Sequence, residues 1–200
     1  MGRLPAQKRR EQLLECAAEL FARRGYARAT TAELAKAAGV TEPIIYRHFK
    51  SKRDLFIALI ETTAEQTLRH WKERLAGASD PGERLRRLIG ENPMVTAEGS
   101  TPYRVLLQAI TETGDEAIRD AVERHFTDVH GFLAKELRKA QEERKSMKSF
   151  SPELIAWTLI HVGLGYGVLK AMGLQHQGED PQGAHVQDLI ERLVVPRHAD

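Results

Sequence analysis

The sequence predicts an all-α fold of about nine helices, and three observations support that prediction. Ala, Leu, Glu and Arg recur along all 200 residues, and these residue types lose little freedom in a helix. Aromatic residues make up only 6% of the chain, and no run of alternating β-branched residues indicates a strand. Apolar residues instead recur in steps of three and four, the spacing of an amphipathic helix. A hydrophobic content of 42% is sufficient for a packed core.

An N-terminal stretch, residues 30–49, predicts two short helices joined by a tight turn. Thr30 and Glu33 have the spacing of a capping box, in which the hydroxyl accepts from a first-turn amide and the carboxylate reaches back. Gly39 tolerates the left-handed backbone that ends many helices. The first of the two helices should therefore run from Thr30 to Gly39.

The second helix should begin at Thr41, a capping residue, with Pro43 in the first turn, where an amide hydrogen has no intrahelical partner. Ile45 and Phe49 are four residues apart and should face inward. The other faces carry Glu42, Pro43, Ile44, Tyr46, Arg47 and His48. Two helices in this order are a known way to place the second helix in the major groove of DNA, although an ordinary helical hairpin has the same local signals.

Charge is distributed unevenly along the chain. Residues 1–55 hold 12 Lys and Arg against 6 Asp and Glu, a net charge of +6, whereas the remaining residues hold 18 against 22, a net charge of −4. A basic end on a mildly acidic body suits a protein that faces a polyanion at one end. The simpler reading is a solvated basic face.

Residues 10–60 resemble the DNA-binding domain of the TetR family of transcriptional regulators. The resemblance rests on three motifs in the right order: LFARRGY at 20–26, TTAELAKAAGV at 30–40 and TEPIIYRHFKSKRDLF at 41–56. Ile44 departs from the family, which usually has a small or hydroxylated residue there that often bonds phosphate or base. An apolar contact with a thymine methyl is a substitute.

The resemblance implies a three-helix helix-turn-helix domain, here 1–55, joined by a shared long helix to an effector-binding and dimerisation domain, 56–200. Residues expected to face base edges are Glu42, Pro43, Ile44, Tyr46 and Arg47. Residues expected to hold phosphates are Thr31, Thr41, Tyr46, His48 and Lys52.

The remaining helices follow from caps and breakers. A first helix should span 7–24, and a fourth should run from Ser51 to Gly77 and so belong to both domains. Prolines that follow Ser, Thr or Asp mark later helix starts, with a break marked by Pro93 and Gly99. The predicted later helices are 81–91, 102–112, 115–145, 152–173 and 181–195.

The helix predicted at 152–173 is apolar on every side, so it must be covered on every side. Its length suits a membrane span, but His161 and Lys170 lower its hydropathy. Packing against a second copy of the chain is therefore favoured over a membrane. The residues expected at this homodimer interface are Trp157, Ile160, Gly163, Leu164, Gly167, Val168, Leu189 and Leu193.

A cavity for a small-molecule effector is expected inside the body, because aromatic and methionine side chains line pockets well. The candidate lining residues are Trp71, Met94, Tyr103, Phe126, His130 and Trp157. Each of them also suits a hydrophobic core, and it is the family resemblance that favours a pocket.

Enzyme chemistry has little support. No HExxH motif occurs, and His125 and His130 lie on poorly matched sides of a helix. We therefore expect neither a catalytic metal nor a cofactor. The single cysteine, Cys16, excludes an internal disulfide framework. The N-terminus lacks the apolar core of a secretion signal, so we expect a cytoplasmic protein.

Together these features predict a ligand-responsive transcriptional regulator, most simply a repressor. It would bind a palindromic DNA operator as a homodimer and be released by a small-molecule effector. Two alternatives remain open: a helical dimeric enzyme acting on a small apolar substrate, and a membrane-tethered regulator that uses the apolar helix at 152–173.

Overall fold

The structure is a computed structural model that describes residues 4–90, 92, 100–112, 114–143, 145–174 and 184–195. Within these residues the chain forms nine α-helices and no β-strand, which confirms the predicted all-α fold. The helices are α1 (Ala6–Arg24), α2 (Thr31–Ala38), α3 (Glu42–His48), α4 (Lys52–Leu75), α5 (Pro81–Gly90), α6 (Ser100–Gln108), α7 (Glu116–Glu142), α8 (Pro152–Ala171) and α9 (Ala184–Val194).

The largest difference from the predicted bounds is at the end of α6. The chain tightens there into a 3₁₀ turn, Ala109–Glu112, where α-helix was predicted to continue. The hydroxyl of Thr111 donates to the carbonyl of Gln108 at 2.8 Å, which satisfies one of the carbonyls left at the end of α6. Asp115 then caps α7, because its carboxylate accepts from the backbone amides of Ala117 and Ile118 at 3.0 and 3.2 Å. The break predicted at Pro93 and Gly99, and the helix start predicted at 181, lie outside the described residues.

The described residues form two compact units. The first unit holds the residues up to 63 together with 101–125, and the second holds those of 64–100 and 126–200. The sequence predicted a single division near residue 55 and did not anticipate that 101–125 packs with the N-terminal residues. Helices α4 and α7 therefore each contribute residues to both units.

The core of the first unit is built around three aromatic rings. Tyr26 stacks on Phe56 with 4.2 Å between ring centres, and Phe21 meets both rings edge-on at 5.6 and 5.9 Å. Such pairs stabilise a core beyond the area they bury. This cluster fixes the end of α1 against the start of α4, the two helices that support α2 and α3.

The second unit has its own apolar core, formed by residues of α4, α5, α7, α8 and the end of α9. One carboxylate, that of Glu136, is buried beside this core with 4% of its surface exposed. Burial alone would raise its pKa, but Arg84 at 2.6 Å and Lys139 at 3.1 Å more than offset that effect and lower the pKa. Arg84 also donates to the carbonyl of Leu75 at 2.8 Å, so the pair ties α5 to α4 and α7.

Helix α8 is long and apolar enough to cross a membrane by length and composition, and it is the only such helix within the described residues. The relevant window has a mean hydropathy of 1.2, and 28% of it is buried inside the chain. One such helix is weak evidence for a membrane, because the core helix of a soluble protein passes the same test. Most of this window is therefore not buried by the residues that the structure describes.

Candidate nucleic-acid interface

The first helix of the helix-turn-helix begins with the predicted capping box. The backbone amide of Glu33 donates to the hydroxyl of Thr30 at 3.1 Å, and the Glu33 carboxylate accepts from the Thr30 amide at 3.0 Å. Arg24 pairs with the same carboxylate at 2.7 Å. The pKa of Glu33 is lowered, chiefly by the bond from the Thr30 backbone. This network fixes the start of α2 relative to the end of α1.

The turn between α2 and α3 follows the prediction at Gly39. Its φ of 65° and ψ of 35° lie in the left-handed region, where a side chain would be strained. The amide of Val40 donates to the carbonyl of Ala35 at 2.9 Å, which closes the turn. The side chain of Gln12 donates to the carbonyl of Ala38 at 3.3 Å and so attaches α1 to this turn.

Helix α3 presents an outward face, as predicted. Ile45 and Phe49 are 1% and 4% exposed and anchor the helix in the core. Thr41, Pro43, Tyr46 and Arg47 are exposed on the opposite side, and Glu42, Ile44 and His48 are half-buried. Thr41 occupies the capping position, but its hydroxyl makes no cap hydrogen bond within the structure. The face is therefore available to a partner along most of the helix.

Three side chains on this face form a hydrogen-bonded chain. The hydroxyl of Thr31 donates to a carboxylate oxygen of Glu42 at 2.6 Å. The same hydroxyl oxygen lies 3.2 Å from the phenol oxygen of Tyr46. Glu42 and Tyr46 are one helical turn apart on α3, and Thr31 opens α2. These hydrogen bonds thus connect α2 and α3 on their outer side.

Lys52 lies differently from the prediction. Its ammonium donates to the carbonyls of Tyr26, Ala27 and Ala29 at 2.9, 3.3 and 3.1 Å. It also lies 4.5 Å from the centre of the Tyr26 ring. An ammonium has three hydrogens to donate, and three carbonyls take them. We therefore assign Lys52 to holding the loop between α1 and α2 and remove it from the expected phosphate contacts.

Two cations lie beside α3 that the sequence did not identify as DNA contacts. Lys50 is exposed directly after the helix. Arg10 of α1 places its guanidinium 5.1 Å from the centre of the Phe49 ring. In the sequence, Lys50 and Lys52 lie on either side of Ser51, where a helix was predicted to start. That spacing does not indicate which of the two lysines faces outward.

Residues 13–59 match the family described as bacterial regulatory proteins, tetR family. The nucleoid occlusion factor SlmA of Marinobacter nauticus is 34% identical over 149 residues, which cover 74% of this chain and 74% of that protein. The chain belongs to the TetR family. Its match to the family spans α2 and α3, whose outward face is described above.

Two further proteins are similar to this chain. The HTH-type transcriptional activator FasR of Mycolicibacterium smegmatis is 32% identical over 140 residues, which cover 62% of this chain and 63% of the activator. The chain thus spans less than two thirds of that relative's length. A transcriptional regulator of Saccharomonospora viridis, solved in complex with choline, is 26% identical with a TM-score of 0.83, covering 96% of this chain and 100% of that one.

The predicted effector residues of this TetR-family regulator that the structure describes belong to both units. Trp71 is 4% exposed in the core of the second unit, where it stacks on Phe132 with 5.7 Å between ring centres. Tyr103 belongs to the first unit and is 4% exposed. Met94 lies outside the described residues. Phe126 packs against the core of the second unit.

His130 and Trp157, the remaining two candidates, do lie together. Their rings stack with 4.6 Å between centres, and the imidazole Nε2 of His130 lies 3.1 Å from the carbonyl of Glu153. His161 also stacks on the Trp157 ring, with 6.0 Å between ring centres. Trp157 is 38% exposed, so this cluster lies at the surface of α8.

The predicted dimer residues divide between surface and core. Leu189 and Leu193 of α9 are both 58% exposed, and Trp157 is also exposed. Leu164, Gly167 and Val168 are half-buried. Ile160 is 3% exposed, and Gly163 is buried too, because both face the interior of their own chain. We therefore remove Ile160 and Gly163 from the expected interface.

The first unit also contains a contact that brings α6 to the end of α1. The amide of Tyr26 donates to the side-chain oxygen of Gln108 at 2.7 Å, and the side-chain nitrogen of Gln108 donates to the carbonyl of Phe21 at 2.8 Å. Arg53 at the start of α4 pairs with Asp115 before α7 at 2.7 Å. These bonds attach the segment 101–125 to the helices that support the helix-turn-helix.

A buried histidine lies in the same unit. His125 of α7 is 1% exposed, and its ring meets that of Tyr103 edge-on at 5.6 Å. Burial lowers its pKa to about 4, and a hydrogen bond with the backbone of Ile60 opposes that effect only in part. The imidazole is therefore neutral near pH 7. Among the described residues, no group of three or more His, Cys, Asp or Glu is placed to hold a metal ion.

Proposed function

We propose that this TetR-family regulator is a ligand-responsive repressor that binds a palindromic operator as a homodimer. The observation that carries the proposal is the outward face of α3, which Ile45 and Phe49 hold from behind. An exposed helix that follows a capped helix and a left-handed glycine is the form in which proteins present a helix to the major groove. In this proposal the base edges are read by Glu42, Pro43, Ile44, Tyr46 and Arg47.

Phosphate contacts position such a helix without reading sequence. Thr41 suits this role because its hydroxyl is exposed and makes no cap bond. His48, Lys50 and Arg10 lie around the same helix and supply positive or polar groups. Each lysine or arginine that contacts a phosphate makes the affinity for DNA fall as the salt concentration rises. These contacts therefore predict that DNA binding weakens measurably with added salt.

The homodimer is supported by the apolar surface of α8 and α9. Large exposed apolar side chains are concentrated there: Leu154, Trp157, Leu169, Met172, Leu189 and Leu193. An exposed patch of this kind marks an interface. Two copies related by a two-fold axis would present two α3 helices to half-sites whose centres lie one or more helical turns apart, each about 34 to 36 Å.

The small-molecule effector is supported by the regulator of Saccharomonospora viridis, whose crystal structure holds choline. For this chain we propose binding in the second unit and action on the first through α4, which contributes to both. A coupling free energy of about 1 to 3 kcal/mol would weaken operator binding about 5- to 150-fold.

Selection from random-sequence duplex DNA tests the proposal directly. A palindromic consensus recovered by the purified protein, with a gel shift at two chains per site, is the expected result. No enrichment would favour the enzyme alternative, in which the basic end is incidental.

A run-off transcription assay on the selected operator then separates repression from the activation found in FasR. Purification without detergent is the result expected of a cytoplasmic protein rather than a membrane-tethered one.

A further inference from the structure

The hydrogen-bonded chain on the outer face of α2 and α3 has a direction. A hydroxyl has one hydrogen to donate, and Thr31 gives it to the Glu42 carboxylate at 2.6 Å, which accepts only. In the 3.2 Å contact between Thr31 and Tyr46, the phenol must then be the donor. The hydrogens of both hydroxyl groups are therefore used within the protein.

The groups that remain for a partner are acceptors. Glu42 offers the lone pairs of its carboxylate, and Tyr46, which is 50% exposed, offers the remaining lone pair of its phenol oxygen. A phosphate also offers only acceptors, and a carboxylate repels it. This geometry disfavours the phosphate contacts that the sequence predicted for Thr31 and Tyr46.

The major groove contains few donors. The exocyclic amino groups of cytosine (N4) and adenine (N6) are the donors that base pairs present there. In adenine the amino group lies beside the N7 acceptor, which would face the carboxylate with like polarity. Thymine O4 lies on its other side, so adenine N6 is flanked by two acceptors. The cytosine amino group has the O6 acceptor of its paired guanine on one side only, and a carboxylate accepting from cytosine N4 is a recognised pairing.

We infer that Glu42, held by Thr31, selects a cytosine in each half-site by accepting the one hydrogen of its N4 amino group that base pairing leaves free. The inference rests on the proposed function, since it names the base that the same surface reads. Thr31 acts as a positioning residue. Its hydroxyl donates to the Glu42 carboxylate and so fixes the rotamer of Glu42, and it accepts the hydrogen bond of the Tyr46 phenol. The polarity of the surface, not its shape alone, sets the preference.

The experiment compares operators selected by the wild-type protein with those selected by Glu42→Gln and Thr31→Val. Wild type should enrich one C·G pair per half-site. Replacing that cytosine with N4-methylcytosine, which keeps the pairing hydrogen but has a methyl group in place of the major-groove hydrogen, should lower affinity about 5- to 150-fold. Glu42→Gln should lose the cytosine preference and shift toward adenine, which an amide reads bidentately. Thr31→Val should weaken the cytosine preference without abolishing binding.

Thr41→Val is the matched control, because it removes an exposed hydroxyl from the same face that makes no bond to Glu42. It should lower affinity for all sequences alike and leave the selected consensus unchanged. Enrichment of adenine by the wild type, or a consensus unchanged in Glu42→Gln and Thr31→Val, overturns the inference while DNA binding stands. If the wild type enriches no sequence, the proposed function fails instead. Circular dichroism confirms that each variant is folded.

Discussion

Lys52 and Tyr26 are joined twice, since the ammonium donates to the Tyr26 carbonyl at 2.9 Å and lies 4.5 Å from the centre of the Tyr26 ring. Its other two hydrogens go to the carbonyls of Ala27 and Ala29. A single side chain therefore satisfies three carbonyls of the loop between α1 and α2. That loop has no regular structure to satisfy them otherwise.

Replacing Lys52 with Met should destabilise the protein, because the aliphatic stem is kept but the three carbonyls lose their donor. We expect a loss of about 1 to 3 kcal/mol in the free energy of unfolding. Lys50→Met is the matched control: it should leave stability within about 0.5 kcal/mol and reduce the salt slope of DNA binding by about one unit. Urea denaturation and salt-dependent binding of both variants measure this. Equal stability of the two variants would contradict the assignment of Lys52.

The two threonines that precede the helices of the motif should behave differently. Thr30 makes the capping-box bond to the Glu33 amide, whereas the Thr41 hydroxyl makes no cap bond. Thr30→Ala should therefore cost about 1 kcal/mol of stability. Thr41→Ala should change stability by less than about 0.5 kcal/mol and weaken DNA binding. Thermal denaturation of the two variants measures this difference. A larger loss of stability in Thr41→Ala than in Thr30→Ala would show that the Thr41 hydroxyl caps α3 in solution.

The attachment of α6 to α1 can be followed at a single amide. In Gln108→Leu the Tyr26 amide loses its acceptor, so its hydrogen exchange should become about ten-fold faster, equivalent to about 1.4 kcal/mol of lost protection. Arg104→Ala is the control, because its contact with the Ala22 carbonyl is exposed and longer, at 3.4 Å. It should leave the Tyr26 amide unchanged. Identical exchange in both variants would mean that the Gln108 contact is not maintained in solution.

What the sequence could predict was local. The capping box of Thr30 and Glu33, the turn at Gly39 and the inward pair Ile45 and Phe49 depend on spacings of a few residues, and all are present in the structure. Local rules of this kind depend only on residues within a few positions of one another. The helix-turn-helix was therefore predictable in detail.

The missed features depend on residues far apart in the chain. Gln108 meets the end of α1 across 82 positions, and nothing in the local pattern of α6 indicates that contact. Ile160 was expected to face a second chain because α8 is apolar on every side, so periodicity could not separate its inner face from its outer face. Lys52 was assigned to phosphate because a lysine beside a DNA-reading helix has two possible partners, and only the fold chooses between them.

Acid should destabilise the first unit through His125. Because burial lowers the pKa of this histidine from 6.5 to about 4, the unfolded chain takes up a proton first as the pH falls. The free energy of unfolding should therefore decrease between about pH 6.5 and pH 4, by about 3 kcal/mol in all, and this contribution should level off below that range. Denaturation curves across this range measure it. His125→Gln should remove this part of the pH dependence, whereas an unchanged slope would place its source elsewhere.

A glutamate introduced on the exposed face of α9 should have a different effect from one introduced on the buried face of α8. Leu189 is 58% exposed, so Leu189→Glu should leave each chain folded but place a carboxylate in the proposed dimer interface. We expect monomers by light scattering, unchanged helical content, and loss of cooperative binding to a two-half-site operator. Ile160 is 3% exposed within its own chain, so Ile160→Glu should unfold the second unit, because it buries a charge without a partner. A Leu189→Glu protein that remains dimeric at micromolar concentration would show that another face joins the two copies.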